Sequence, residues 1–553
     1  MPTPTPVVIT LLNPLKFLST TDVGKFSLGD AYSNFKIQVK YTYVVTKNGV
    51  DTVFNKRDHF LLDKCGNFKI EFPEDTSMVK LKVVLKLNGC TELKGTFCFP
   101  EQLAPLLNQT QLSTRLTISN CNVFSINCSG YDHAHAKEQA GPGRSSRAIV
   151  MVHLAMFETL NAIEPRYTSY LSTAPIAPTC VELNIAICQA MCVTLKHLFP
   201  DQTNKINAHL SSVIGSYPNG TTKTNSLDFG KSVADVIIAL RTNDGSQVPE
   251  TSYADYIAEN PPGSTPGLWT KDPVSQFGVA LGYKWGEMTP FAIASGSTYR
   301  CPPFPSLTSP EYAAAFNEVK ALGGDGITTP TVRSQELTNV GLYWAYDGTP
   351  SLCAPPRLYN QIALQLANQE NLDYYQTLRM LTLVNLAMAD AGVSSWDSKW
   401  FYKIWRPVTG VRETHYDGTS APTGNSDIIS DPTYTPIGAP NTNTSGVYFT
   451  PPFPAYPSGH ATFGGALFQM LRNILGRDDI SFTFVSDELN GVTQYDGTTR
   501  PFAPRSFTSL SQAEEENGQS RIYLGIHWSQ DKVAGINQGR QVADYVFNNI
   551  YKD

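Results

Sequence analysis

Apolar and polar positions alternate with period two at the start of the chain, and recur with a period near 3.6 over the rest. Phe35–Val45 (FKIQVKYTYVV), Asn67–Phe72 and Val79–Leu87 alternate as half-buried strands do, with Lys47-Asn48-Gly49 as a turn between two of them. Short strands at this spacing predict a small β domain over residues 1–128, a sandwich or a barrel. From about residue 140 the pattern turns helical. Arg147–Ile163 predicts a strongly apolar helix ending at Glu164-Pro165, and Val181–Phe199 and Ser226–Leu240 follow. A Pro/Gly-rich stretch, Pro261–Pro305, leads to further predicted helices at Pro310–Leu322, Thr331–Tyr346, Pro356–Gln369 and Asp373–Ala391. The last helices are expected at Ser395–Trp405, Ser458–Leu475 and Gln512–Tyr545, with loops at 408–457 and 476–510. The expected fold is therefore mainly α, with helices packed as bundles over 129–553 and an appended N-terminal β domain.

Bulk composition narrows the function classes. A chain of 553 residues exceeds what one hydrophobic core organises, which agrees with more than one domain. The net charge of −6 argues against a nucleic-acid partner, so any anion site is built locally against the overall sign. No apolar run is long enough to span a membrane, and no basic region precedes Val7–Leu12 as in a cleaved signal peptide. Among ten cysteines no Cys-x-x-Cys pair occurs, so a zinc knuckle is not expected. Cys121 with Cys128, or Cys90 with Cys98, are spaced to bridge in an oxidising compartment; buried free thiols are the equal alternative.

Three segments carry chemistry. Lys399 and Arg406 are seven residues apart, which on a helix puts both on one face, and Pro407 follows as a stop. Two such cations repel unless an anion or acid lies between them. Pro457-Ser458-Gly459-His460 runs into an apolar stretch. Ser458 stands at the N-cap position, Gly459 allows close approach of the backbone, and the helix start is an anion site. His460 beside it is suited to acid–base work near neutral pH. In Ser520-Arg521-x(5)-His527-x(3)-Asp531, the carboxylate four residues on is placed to fix the imidazole tautomer, while Arg521 offers a planar fork to an oxyanion. Together these describe a cup for a tetrahedral anion bonded at one corner. The catalytic candidates are His460, Lys399 and His527; the active site is expected within 340–535.

The three motifs, in this order, resemble the signature of a superfamily that contains the vanadium haloperoxidases, the type 2 phosphatidic acid phosphatases and bacterial acid phosphatases. Pro451–Ala466, Tyr343–Asn360 and Trp396–Pro407 resemble the fungal vanadium chloroperoxidases in particular. The resemblance is strong after residue 340 and weak before it, and the N-terminal β segment lies outside it. It implies two four-helix bundles and a vanadate cofactor, with His527 as the ligand to the metal. Lys399, Arg406, Arg521, Ser458 and the Gly459 amide would bind the vanadate oxygens, and Lys399 would also polarise peroxide. His460 would be the acid–base residue, Asp347 would pair with Arg521, and Trp396 and Phe453 would wall the halide side. Algal bromoperoxidases usually carry His where this chain has Phe453, which favours chloride competence.

The implied reaction is oxidation of halide by hydrogen peroxide to hypohalous acid, which halogenates small organic acceptors. The implied partners are those small molecules. An oligomer and an extracellular location are compatible with the family. The rival reading is a phosphatase of the same superfamily with His527 as nucleophile, and a further one is a helical scaffold protein with a vestigial site.

Overall fold

The computed structural model describes residues 141–552 except 216, 350 and 351, together with the backbone of strands between residues 25 and 99. Chain contacts divide it into two compact units. One comprises residues 1–120, 155–237 and 373–375; the other comprises 121–154, 238–372 and 376–553.

In the first unit, Val50–Leu61, Lys36–Lys47, Thr76–Leu87 and Thr91–Phe99 pair in that order as an antiparallel sheet. Lys25–Ser27 pairs with Asn67–Lys69. Beyond these strand backbones, the sandwich or barrel expected over 1–128 lies outside the described residues, as do Cys90, Cys121 and Cys128; Cys98 falls in the Thr91–Phe99 strand, of which only the backbone is described. Cys180 is disulfide-bonded, and Cys188 and Cys192 are free and buried.

The helices, in chain order, are α1 (Pro142–Ile163), α2 (Leu183–Leu198), α3 (Thr203–Ile214), α4 (Thr221–Leu240), α5 (Tyr253–Glu259) and α6 (Pro310–Gly323). They continue as α7 (Gln335–Tyr343), α8 (Pro355–Gln369), α9 (Tyr374–Tyr402), α10 (Pro407–Gly410), α11 (Gly459–Leu475), α12 (Leu510–Tyr523) and α13 (Ser529–Asn549). The mainly helical expectation holds for the described residues. Local chemistry sets the helix starts. Ser309, Ser334, Ser458 and Ser509 each cap a helix by accepting a first-turn amide N–H. Gly476 closes α11 in the left-handed conformation.

Three expectations are corrected. Asp373–Ala391 and Ser395–Trp405 are one continuous helix, α9, because Gly392 interrupts nothing when both faces are buried. That helix ends at Tyr402, where Lys403 turns left-handed (φ 52°), and not at Pro407. Arg406 is extended and caps α10, so it and Lys399 do not share a helix face. The single helix expected at Gln512–Tyr545 is broken between Tyr523 and Ser529. Gly525 stands there at φ 72°, with its α-carbon side against the Gly323 carbonyl, where a Cβ would come within 2.5 Å. Helices α3 and α5 lie in stretches not singled out by periodicity; α3 buries little besides Ile206.

Helices α11 and α13 position the site. Their contact is backbone to backbone, made possible by glycine. A Cβ on Gly535 would lie 2.7 Å from the Ser458 carbonyl oxygen, and one on Gly539 would lie 2.1 Å from that of Thr462. The start of α11 is thereby held against the first turns of α13.

Candidate active site

The three motifs converge in the second unit. Arg406 sends Nε to the Phe453 carbonyl and Nη1 to the Ile526 carbonyl, both at 2.8 Å. The same Nη1 lies 2.8 Å from Nε2 of His527. A guanidinium only donates, so Nε2 of His527 is the acceptor and carries a lone pair. On the other side of the ring, Nδ1 donates to Asp531 Oδ2 at 2.8 Å. Asp531 also accepts the Trp528 amide at 2.9 Å, as the third residue of α13. His527 therefore sits in the turn before α13. The His–Asp contact expected along a helix face is made instead by a carboxylate folded back over the helix start. The outcome for the tautomer is the one the spacing implied.

Ser458 Oγ accepts from the Ala461 amide and its own amide donates to the Asp531 carbonyl, which ties the starts of α11 and α13 together. Gly459 faces Trp396, whose ring carbons would be 3.4 Å from a Cβ there. His460 Nε2 lies 2.6 Å from the Ala345 carbonyl, which makes it the protonated nitrogen, and 4.0 Å from Asp347 Oδ1. Nη2 of Arg521 donates to both carboxylate oxygens of Asp347, at 2.9 and 2.7 Å. This pair, expected from the Tyr-Asp-Gly segment, is present.

Lys399 is placed differently from its expected contact. Its Nζ donates to the carbonyls of Pro454 and Ala455 at 2.9 Å each, and to that of Pro457. The three ammonium protons thus shape the backbone leading into Ser458. Its charge remains at the site, 5.1 Å from the centre of the Phe453 ring and 5.7 Å from that of Trp396. Those two rings pack 5.0 Å apart, centre to centre. Trp396 is anchored through Nε1 to the Leu281 carbonyl at 3.1 Å.

Apart from Asp347, which is partly buried, all these groups are buried. Lys399, Arg406 and Arg521 face two carboxylates, Asp347 and Asp531, leaving one net positive charge if both histidines are neutral. Burial, reinforced by the neighbouring cations, holds both imidazoles well below their usual pKa. Burial and Arg406 hold Lys399 well below its usual value, and burial pushes Arg406 down to about 9. Burial pushes Asp531 up to about 7 against the opposing pull of the Trp528 amide.

Nη2 of Arg406 and Nε and Nη1 of Arg521 are buried without a hydrogen-bond partner in the protein. Buried N–H groups left unpaired are costly. Unpaired donors on two guanidiniums, a surplus positive charge, a helix start and one imidazole lone pair together fit an oxyanion that accepts hydrogen bonds and one coordinate bond.

Sequence reasoning missed the groups that hold these side chains. Tyr359 Oη lies 2.9 Å from Asn517 Oδ1 and 3.0 Å from the His460 carbonyl, which Asn517 Nδ2 also reaches. Glu488 meets the Tyr346 amide next to Asp347. None of these belongs to the three motifs; Tyr346 and Tyr359 stand within the Tyr343–Asn360 block, but nothing in that block marked them as supports, and Asn517 and Glu488 carry no sequence signal.

A family model described as the VCPO second helical-bundle domain matches residues 379–552. The vanadium chloroperoxidase of Curvularia inaequalis is 33% identical over 473 aligned residues, 71% of this chain and 75% of that protein. The crystal structure of a bacterial vanadium-dependent iodoperoxidase superposes with a TM-score of 0.61 at 25% identity, covering 79% of this chain and 97% of its own. A holo-type bacterial vanadium-dependent chloroperoxidase gives a TM-score of 0.55 at 16% identity, over 77% of this chain and 95% of that one, a likeness of fold alone.

Proposed function

The chain belongs to the vanadium haloperoxidase family, and from that premise we propose that it oxidises halide with hydrogen peroxide at a vanadate bound between His527, Arg406 and Arg521. The observation that carries this reading is the set of unpaired guanidinium N–H groups beside the Nε2 lone pair of a buried imidazole.

When bound, vanadate supplies a high-valent Lewis acid that activates peroxide without changing its own oxidation state. His527 offers Nε2 as the protein ligand, with Asp531 fixing its tautomer. Arg406 Nη2 and Arg521 Nε and Nη1 would hold its oxygens, with the Ser458 hydroxyl and first amides of α11 as further donors. Lys399 adds positive charge and fixes the 454–457 backbone. His460, protonated on Nε2 toward Ala345, leaves Nδ1 as the base that moves the peroxide proton. Trp396 and Phe453 line the halide side and exclude water. These fixed charges need no reorganisation during turnover, which makes electrostatic preorganisation the principal contribution.

The products would be hypohalous acids from chloride, bromide or iodide, halogenating small organic acceptors. Phe453 in place of a histidine favours chloride among these. Among the described residues no helix is long and apolar enough to cross a membrane. We read residues 1–128 as an appended β domain outside the catalytic machinery, so a chain lacking them should keep its turnover.

The same donors suit phosphate, which makes phosphate ester hydrolysis the contrasting outcome. Orthovanadate is added to metal-free full-length chain, and bromination of monochlorodimedone is followed beside hydrolysis of p-nitrophenyl phosphate. Vanadate-dependent bromination is expected. Ester hydrolysis that vanadate abolishes, without bromination, refutes the proposal.

A further inference from the structure

The backbone strap Trp344–Asp347 reaches the site on both sides of Tyr346. The Ala345 carbonyl receives His460, and Asp347 holds Arg521. Tyr346 between them is a buried, non-glycine residue at φ 45°, a conformation that tertiary contacts must hold in place.

Those contacts come from Phe484–Glu488, a segment with no part in the motifs. Tyr343 Oη donates to the Phe484 carbonyl at 2.9 Å, and Ser486 Oγ to the Tyr343 carbonyl at 2.6 Å. The Asp487 amide donates to Tyr346 Oη at 2.8 Å, and the Tyr346 amide donates to Glu488 Oε1 at 3.0 Å. Glu488 is fully buried, and its second oxygen accepts from the Thr442 hydroxyl. Thr442 in turn accepts from Arg500 Nη2 at 3.2 Å. The carboxylate is thus fixed from outside the strap and grips the one amide flanked by both site contacts.

We infer that Glu488 is a positioning residue for the anion site: it locks the left-handed turn at Tyr346 so that Ala345 orients His460 and Asp347 orients Arg521. The inference deepens the vanadate reading above and rests on it for the identity of the anion. Glu488 touches neither substrate nor cofactor. A chain with Ala there keeps every motif residue, but its strap can relax toward ordinary backbone angles, turning Arg521 and His460 away together.

The test compares full-length wild type, E488A, E488Q and L471A, the last a core truncation elsewhere that controls for lost stability. Orthovanadate and inorganic phosphate are titrated calorimetrically, and kcat and KM for peroxide are measured after reconstitution. Gln retains an acceptor for the Tyr346 amide, so E488Q should behave as wild type. E488A should bind both anions about 10-fold more weakly and lose kcat by a similar factor, as removal of outer supports of a metal site does. L471A should show the melting-temperature loss without the affinity loss. Equal anion affinity in E488A and wild type, or an equal loss in L471A, overturns the positioning role. A wild type that binds phosphate but not vanadate refutes the vanadate reading instead, while the order of the variants with phosphate still decides the role of Glu488.

Discussion

Nη1 of Arg406 stands 2.8 Å from Nε2 of His527, so a guanidinium already occupies the direction in which the ring nitrogen would bond. Binding of an oxyanion there must let Arg406 pass its N–H to an oxygen, while its other contacts, to Phe453 and Ile526, stay fixed. His527→Ala removes the imidazole lone pair aimed between the two guanidiniums and should abolish vanadate binding together with halogenation. Calorimetric titration of the variant checks this; turnover retained at saturating vanadate contradicts it. Arg406→Lys, which keeps the charge and loses the planar fork, should weaken binding clearly as well.

Asp531→Asn tests the tautomer. Both His527 Nδ1 and the Trp528 amide donate to the same oxygen, Oδ2, and an amide oxygen in its place accepts them without the negative charge that raises the basicity of Nε2. Vanadate affinity is expected to fall about 10- to 100-fold with little change in far-ultraviolet dichroism. Unchanged affinity would mean that Asp531 only caps α13.

His460→Ala separates holding from chemistry. His460 contributes no covalent ligand, and its ring is held by the Ala345 carbonyl. The variant should retain vanadate, yet lose about 100-fold or more in kcat for halogenation, the usual range for an acid–base group. Wild-type kcat in this variant would remove His460 from the mechanism.

Glu488 also makes a pH prediction. Burial pushes its carboxyl up to about 7 from the usual 4.5. The folded value lies above the unfolded one, so its contribution to stability is complete below pH 4.5 and lost as pH rises through 7. The rise corresponds to about 3 kcal/mol. Relative to wild type, E488Q should therefore gain stability between pH 4.5 and 8, read from urea unfolding at each pH. A constant difference across that window shows that Glu488 titrates normally.

Gly535→Ala places a methyl group 2.7 Å from the Ser458 carbonyl oxygen. Neither helix has room to yield, so about 1–3 kcal/mol of stability should be lost. Because the displaced carbonyl belongs to the cap of α11, vanadate affinity should drop as well, measurable by titration at a temperature where the variant remains folded.

The reading of the site from sequence rested on residue types whose meaning is local. Ser458 before an apolar helix is a cap wherever it occurs, and the structure has it so. His527 and Asp531 were recognisable as a pair by spacing, although the backbone joins them by a turn and not a helix. Lys399 and Arg406 were named for the right charge and the wrong geometry: the left-handed Lys403 between them leaves no trace in hydrophobic periodicity. Glu488, Thr442 and Arg500 were invisible because their connection is tertiary, across segments that carry no periodic pattern. The break at Gly525 was missed for the same reason, since the glycine is required by a contact with Gly323 far away in the chain.

The glycine seam between α11 and α13 fixes the imidazole-bearing turn and the serine cap as a single rigid piece, set by main-chain atoms that few substitutions can alter. The exposed turns at 417–420 and 445–447 are under no such constraint. Sequence can drift freely in those turns while the floor of the cup keeps its dimensions.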